Sequence, residues 1–293
     1  MKKRHKARTS RRRGIRTWMS VVAAVAVVAA AIGGLVAVVD PDHAASHRMV
    51  SRQNDAGGDG GNSGPGGTGG TGGHADDAPP PQEREQIPEG IAHASENGAD
   101  AVNITIDDGP DPRWTPKALD VLAKYDVKVT FCMVGPQASA NPDLVKKVVA
   151  AGHRLCDHTM DHDTAMDQKP LAYQEQQILD AKKLIEGAAG ASATVDYYRA
   201  PGGAFTPGSR RTAAANGMRP LGWNVDTKDF GKPGVGAIVD TVKREIGNGP
   251  TVLFHDGGGN RAQTVEALDQ VLAWLKDQGR PTGFPVRTAA DPS

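Results

Sequence analysis

Two hydrophobic periods alternate along the last two-thirds of this 293-residue chain, and that alternation restricts its fold more than any other feature. Val102, Ile104 and Ile106 recur every second residue with polar Asn103 and Thr105 between them, which is a strand pattern. Leu119, Leu122 and Tyr125 recur instead at helical spacing, behind Thr115-Pro116 read as an N-cap and first-turn proline. A second strand is expected over 127–134. Asn141-Pro142 repeats the start signal for a helix with Leu144, Val145, Val148 and Val149 facing a core, ended by Gly152 and followed by a strand over 154–156. A helix over 173–185, strands near Val195, Leu221 and Val252, and a helix over 264–275 continue the series. Such alternation requires a parallel barrel or a doubly wound sheet, and residues 99–288 suffice for one α/β core.

The first third follows different rules. Residues 18–39 read WMSVVAAVAVVAAAIGGLVAVV without a charge and would make a helix of about 33 Å, the thickness of bilayer hydrocarbon. Nine of the 34 basic residues lie in 1–17, where there is no carboxylate, and Asp40 and Asp42 follow the apolar run. The positive-inside bias then makes 1–17 a cytoplasmic n-region and puts the remainder outside. The segment is a transmembrane anchor or a signal peptide, whose apolar core is usually shorter, about 7–15 residues. The expected location is accordingly the cell membrane, single-pass, or the secreted fraction. Residues 40–98, rich in Gly and Pro, cannot bury enough apolar surface to fold and are expected to form a disordered linker. With the basic tail set aside the rest is mildly acidic, which excludes nucleic acid as the expected partner.

Polar clusters fall at the carboxyl ends of the expected strands, where barrel loops converge into a site. In Thr105-Ile106-Asp107-Asp108-Gly109-Pro110, two adjacent carboxylates leave a strand in different directions, so one can bind a cation while the other reaches its water. An ordinary turn is the competing reading of that string. Asp157-His158-Thr159-Met160-Asp161-His162 spaces two histidines four apart, as on one face of a helical turn, able to present nitrogens to one metal. Arg199-Ala200-Pro201-Gly202-Gly203 places a cation before a turn whose amides could face an oxyanion. Asp226-Thr227-Lys228-Asp229-Phe230 supplies carboxylates to orient an imidazole, and Leu253-Phe254-His255 ends a buried strand with a candidate acid. Taken singly, Arg199 as a surface ion pair, Asp229 as a helix cap and His255 as a packed core residue are the more ordinary readings.

In their order and spacing these five segments resemble the five motifs of the polysaccharide deacetylase family, the NodB-like carbohydrate esterases. The resemblance covers nearly all of residues 100–280. It implies a distorted (β/α) barrel of about seven parallel strands, a monomer, and metal-dependent removal of acetyl groups from an N-acetylated polysaccharide such as peptidoglycan, chitin or a related glycan. By similarity Asp108, His158 and His162 are the metal ligands, Asp107 the general base and His255 the acid. Arg199 then supports the base, Asp229 supports the acid, the Gly202 amide faces the oxyanion, and Leu253 and Phe230 line the pocket. The implied ion is Zn2+, with Co2+ or another divalent ion as substitutes. The chain departs from the family pattern at Ile106, Gly202 and Phe230, where Phe, an aromatic and Trp are usual. An O-acetyl esterase acting on xylan and a non-catalytic wall-binding relative are the alternatives to N-deacetylation. Export also permits a disulfide between Cys132 and Cys156, the two cysteines of the chain. The other reading is two small buried apolar residues, since bridging needs Cα atoms within about 7 Å.

Overall fold

The computed structural model describes residues 86–291, residue 192 excepted. Among the described residues the strands are β1 (Val102–Asp107), β2 (Thr130–Met133), β3 (Arg154–Asp157), β4 (Val195–Tyr198), β5 (Arg219–Pro220), β6 (Val225–Asp226), β7 (Thr251–His255) and β8 (Thr282–Gly283). The helices are α1 (Thr115–Tyr125), α2 (Gly135–Ala140), α3 (Pro142–Ala150), α4 (Leu171–Ala189), α5 (Pro207–Ala215), α6 (Val235–Glu245) and α7 (Ala262–Asp277). Seven strands form one parallel sheet in the order β5-β4-β3-β2-β1-β7-β6, and β8 pairs with the first residues of β1. The sheet curls into the expected distorted (β/α) barrel, open between β5 and β6. Ala92 lies along the β5 side of the opening, donating to Pro220 O at 2.8 Å and accepting from Gly222 N at 2.9 Å.

The polar half of β1 does not meet water. Val102, Ile104 and Ile106 belong to the main apolar core, together with Leu122 of α1 and Leu268, Val271, Leu272 and Leu275 of α7. Full burial of one such leucine stabilises the fold by about 1.5–3 kcal/mol. Asn103, Thr105 and Asp107 are equally buried and find hydrogen bonds: Asn103 Nδ2 to Thr251 Oγ1 at 3.0 Å, Thr105 Oγ1 to Val252 O at 2.9 Å. Alternation in β1 therefore separates an apolar face from a hydrogen-bonded polar face, both covered. A smaller apolar cluster joins Cys132, Cys156, Tyr197 and Leu221. Cys132 and Cys156 are in direct register on β2 and β3 and are joined as a disulfide, their Cα atoms 4.1 Å apart.

Some local expectations give way. Thr115 is not the N-cap of α1, because its hydroxyl donates to Asp256 Oδ2 at 2.6 Å and accepts from Asp111 N at 2.7 Å. Trp114 holds the N-cap position, and in the turn ahead of it Asp111 Oδ1 accepts from the amides of Arg113 and Trp114. β2 begins at Thr130 and not at 127, and α4, Leu171–Ala189, extends the expected helix by one turn at its C-terminal end. The ordered body also starts upstream of residue 99: Ala92 is fully buried, and Asp291 accepts from His93 N and Ala94 N, beyond the boundary at 288. No helix among the described residues is long and apolar enough to cross a membrane. Segments 1–17 and 18–39, and the linker up to residue 85, lie outside the described residues.

The bridge spans 24 residues of sequence, so a chain-entropy argument gives it about 3 kcal/mol of stability. Replacing both cysteines with alanine is expected to remove that amount, read as a lower denaturant midpoint; an unchanged midpoint would refute it.

Candidate functional site

A cleft of about 460 Å³ opens at the carboxyl end of the barrel strands and is lined by Asp107, Asp108, His158, His162, Gly202, Leu253, Phe230 and His255. Eight of the ten residues singled out for chemistry thus share one surface, while Arg199 and Asp229 lie buried behind it. Asp107 is the last residue of β1, and Asp108 turns away from it at φ 76°. That left-handed step, unusual outside glycine, lets neighbouring carboxylates serve different partners.

Arg199 follows β4 and is fully buried. It donates to Asp107 Oδ1 at 2.7 Å, Thr105 Oγ1 at 2.8 Å, Gly222 O at 2.9 Å and Leu221 O at 3.2 Å. Asp107 Oδ2 is left facing His158 Nε2 at 3.5 Å. His158 Nδ1 lies 2.8 Å from the carbonyl oxygen of Arg199, which can only accept, so Nδ1 carries the proton and Nε2 presents its lone pair. Burial holds the His158 imidazole below its ordinary pKa against the pull of Asp107 and Asp108, keeping it neutral.

His162 arrives by a different route from the expected helical turn. Residues 158–162 are not helical: Thr159 and His162 have φ of 69° and 53°, and this loop swings the second ring to 4.9 Å from the first. His162 Nε2 comes within 3.2 Å of Asp108 Oδ1, and His158 Nε2 within 3.6 Å. Even so, Asp108 Oδ1 is buried without a hydrogen bond of sound geometry. Burial opposes ionisation of Asp108, but His162, His158 and His255 together hold its carboxyl well below the usual range. Three donor atoms, one each from Asp108, His158 and His162, lie within 4.8 Å of one another. An orphaned carboxylate oxygen, a lone pair on a neutral imidazole and a second imidazole fit a divalent cation, as the two-His, one-carboxylate set does in hydrolytic zinc sites.

Across the cleft, β7 delivers His255. Its Nδ1 lies 2.7 Å from Asp229 Oδ1 and its amide donates to Asp229 Oδ2 at 2.9 Å. Thr264 Oγ1 adds a third contact to Asp229 at 2.7 Å. Burial disfavours the charged imidazole, but the Asp229 hydrogen bond and charge raise the His255 pKa above its ordinary value. Asp229 is lowered in turn, burial being outweighed by His255. Phe230 stands edge-on to the His255 ring at 5.4 Å and is 49% exposed, forming an open wall. Gly202 has φ 61°, and a Cβ there would sit 3.2 Å from Thr164 Cβ, so a side chain at this turn would need left-handed backbone and a small shift of Thr164.

Thr164, Trp223 and Lys228, which stand in none of the expected roles, also line the cleft, and Asp256 lies behind it. Asp256 is buried, its pKa pushed up to about 7 by desolvation, and its Oδ1 would stand 2.2 Å from any Cβ at position 109. The Gly109 in the first motif and an acidic residue immediately after His255 were the signals available.

The family model for polysaccharide deacetylase matches residues 94–221. A peptidoglycan-N-acetylglucosamine deacetylase of Bacillus cereus is 39% identical over 188 residues, 62% of this chain and 85% of that protein. The chain belongs to the polysaccharide deacetylase family. A chitooligosaccharide deacetylase of Sinorhizobium fredii is 37% identical over 63% of this chain and 90% of its own length. Among solved structures, a CE4 family pseudoenzyme from Bacillus anthracis superposes with a TM-score of 0.58 at 28% identity, over 64% of each chain. The polysaccharide deacetylase fold therefore occurs with and without activity, and the side chains must carry any functional argument.

The Asp229 contact predicts the titration of His255. In chelator-treated protein, NMR should give His255 a pKa above about 6.5, and Asp229→Asn should lower it; a value indifferent to the substitution would contradict the pairing.

Proposed function

We propose that this chain is a metal-dependent deacetylase that hydrolyses the acetamido group of N-acetylglucosamine units in a polysaccharide. The observation that carries the reading is the convergence on one cleft of an Asp-His-His donor set, a second carboxylate facing it, and a carboxylate-backed histidine opposite. The names of the Bacillus and Sinorhizobium relatives support the amide of a GlcNAc glycan as the target. Asp108, His158 and His162 would hold the cation, zinc by the nature of the donors. When bound, such a cation supplies Lewis acidity, bringing the pKa of water towards about 7 and polarising a carbonyl.

The remaining steps fall to the chain's own groups. Arg199 fixes Asp107 through Oδ1, leaving Oδ2 to accept the proton of the attacking water as its oxygen bonds to the acetyl carbon. The Gly202 amide would face the oxygen of the tetrahedral intermediate, a kind of contact whose loss typically costs about 2.7–4 kcal/mol in the barrier. The C–N bond then breaks, and His255 donates its Nε2 proton to the leaving nitrogen while Nδ1 stays with Asp229. Acetate and a free amino sugar result. Leu253 and Phe230 would wall the acetyl methyl and the sugar. A raised His255 pKa suits an amine leaving group, which must be protonated, better than the alcohol of an O-acetyl ester. Against a non-catalytic role stands the complete set of ligand, base and acid residues.

The uncharged run at 18–39 supports action outside the cytoplasmic membrane, and so does the Cys132–Cys156 bridge, which belongs to an oxidising compartment.

Acetate release from chitooligosaccharides and peptidoglycan is the direct test, with acetylated xylan as comparison. Chelation should abolish it and Zn2+ or Co2+ restore it. Asp107→Asn and His255→Ala should each lower kcat about 10²–10⁴-fold while about one metal per chain is retained. Full turnover in either variant would overturn the assigned roles, and release from xylan alone would replace the amide reading with the ester one.

A further inference from the structure

We propose that Gln177 of α4 is a positioning residue for the metal site: its side-chain amide sets the loop that carries His162 towards Asp108 and His158. The role rests on the reading of those three side chains as a metal set. The loop joining the two histidines has no helical or strand ladder, and two of its residues, Thr159 and His162, hold left-handed backbone that side-chain-bearing residues disfavour. Such a loop keeps its shape only when its surroundings over-determine it.

Local bonds hold its ends. Thr159 N donates to Asp157 Oδ1 at 2.7 Å, and His162 N to Thr159 Oγ1 at a longer 3.3 Å. On one flank Thr159 O accepts from Gly135 N of α2 at 2.9 Å. The middle is held from the other flank by one side chain. Gln177 Oε1 accepts from Met160 N at 3.1 Å and from Asp161 N at 2.9 Å, and Gln177 Nε2 donates to Asp161 Oδ2 at 2.7 Å. Both lone pairs of the oxygen and one amide hydrogen are thus spent on two consecutive loop residues.

Gln177 is 6% exposed, beside Ile178 and Ala181 on the buried side of α4. A polar side chain in that setting costs stability unless it is bonded, and packing alone would favour a leucine there. The loop is also clamped sterically. A Cβ on Gly135 would come within 3.0 Å of Met160 Sδ and 2.9 Å of the Ala181 backbone, so α2 and α4 close on it from two sides. Gln177 reaches no metal donor itself. It acts through Asp161, the residue directly before His162.

Three variants of the full-length chain test this: Gln177→Leu, Gln177→Glu, and Gln177→Glu combined with Asp161→Asn. The readouts are the Co2+ dissociation constant, the visible absorption spectrum of the Co2+ form, and the melting temperature in chelator. Gln177→Leu should weaken Co2+ binding by about 10-fold, the low end of the 10–100-fold typical for a direct partner of a metal ligand because Gln177 acts through Asp161, and should alter the visible band. Gln177→Glu should weaken it too, since it sets a carboxylate against Asp161. Adding Asp161→Asn lets the bond re-form with donor and acceptor exchanged and should recover most of the affinity. Unchanged affinity and spectrum in Gln177→Leu would overturn the role, as would a loss confined to the chelator-treated melting temperature or a double variant no better than Gln177→Glu. Failure of the unsubstituted chain to bind Co2+ would instead bring down the metal reading, and this role with it.

Discussion

A guanidinium buried in the barrel costs several kcal/mol in lost hydration unless acceptors replace the water. Arg199 is in that position, and four acceptors surround it: the Asp107 carboxylate, the Thr105 hydroxyl and the carbonyls of Leu221 and Gly222. These come from β1 and from the segment just after β5, so the ion pair ties the end of β4 to β1, a strand that is not its neighbour in the sheet. Its backbone has a second duty, because the Arg199 carbonyl holds the His158 Nδ1 proton and thereby aims Nε2 into the cleft. One residue fixes the orientation of the facing carboxylate and the tautomer of the histidine proposed as a metal donor. Removing its charge would leave Asp107 buried and unpaired, so this contact cannot be tuned independently of the site.

The same interior sets two histidines to opposite tasks. His158 and His255 are both buried at strand ends, and desolvation lowers the pKa of each. The partner at Nδ1 separates them. His158 has a neutral carbonyl there, and burial prevails, leaving an unprotonated ring suited to binding a cation. His255 has Asp229, itself held anionic by contacts from Thr264 and the His255 amide, and the imidazolium is favoured. Environments that push like groups apart are how one cleft can hold a neutral imidazole and a more basic one together.

Legibility in the sequence tracked how local each cause was. β1, the helix starts at Pro116 and Pro142, and the placing of Asp107, Asp108, His158 and His255 near strand ends follow from periodicity and turn residues within a few positions. β6 and β8 are two-residue strands and leave little pattern, β5 is signalled only by Leu221 just beyond it, and α5 buries little more than Ser209 and Ala213. The His158–His162 spacing suggested a helical turn because helices bring such residues together. Here a loop does so, under constraints from Gly135 and Gln177 that sequence spacing cannot express. Thr115 looked like a cap until a carboxylate 141 residues away claimed its hydroxyl. Residues 91–95 are unremarkable in composition for a related reason: only the open barrel edge gives Ala92 something to pair with.

This division also separates chemistry from substrate choice. Apart from His162, which a loop carries, the groups assigned to proton transfer and metal binding sit at or directly after β1, β3 and β7, where the sheet ladder fixes their backbone. The groups that shape the cleft wall, Gly202, Thr164, Trp223, Lys228 and Phe230, sit in the connections between strands and helices. At Gly202 the wall is already Thr164, since no side chain fits between them without displacing it. On the opposite side Phe230 presents a ring to solvent with Lys228 Nζ 5.8 Å from its centroid. Loops of this kind accept substitution without disturbing the ladder. Selection for a different glycan can therefore act on those five positions while the Arg199–Asp107 and Asp229–His255 pairs stay as they are.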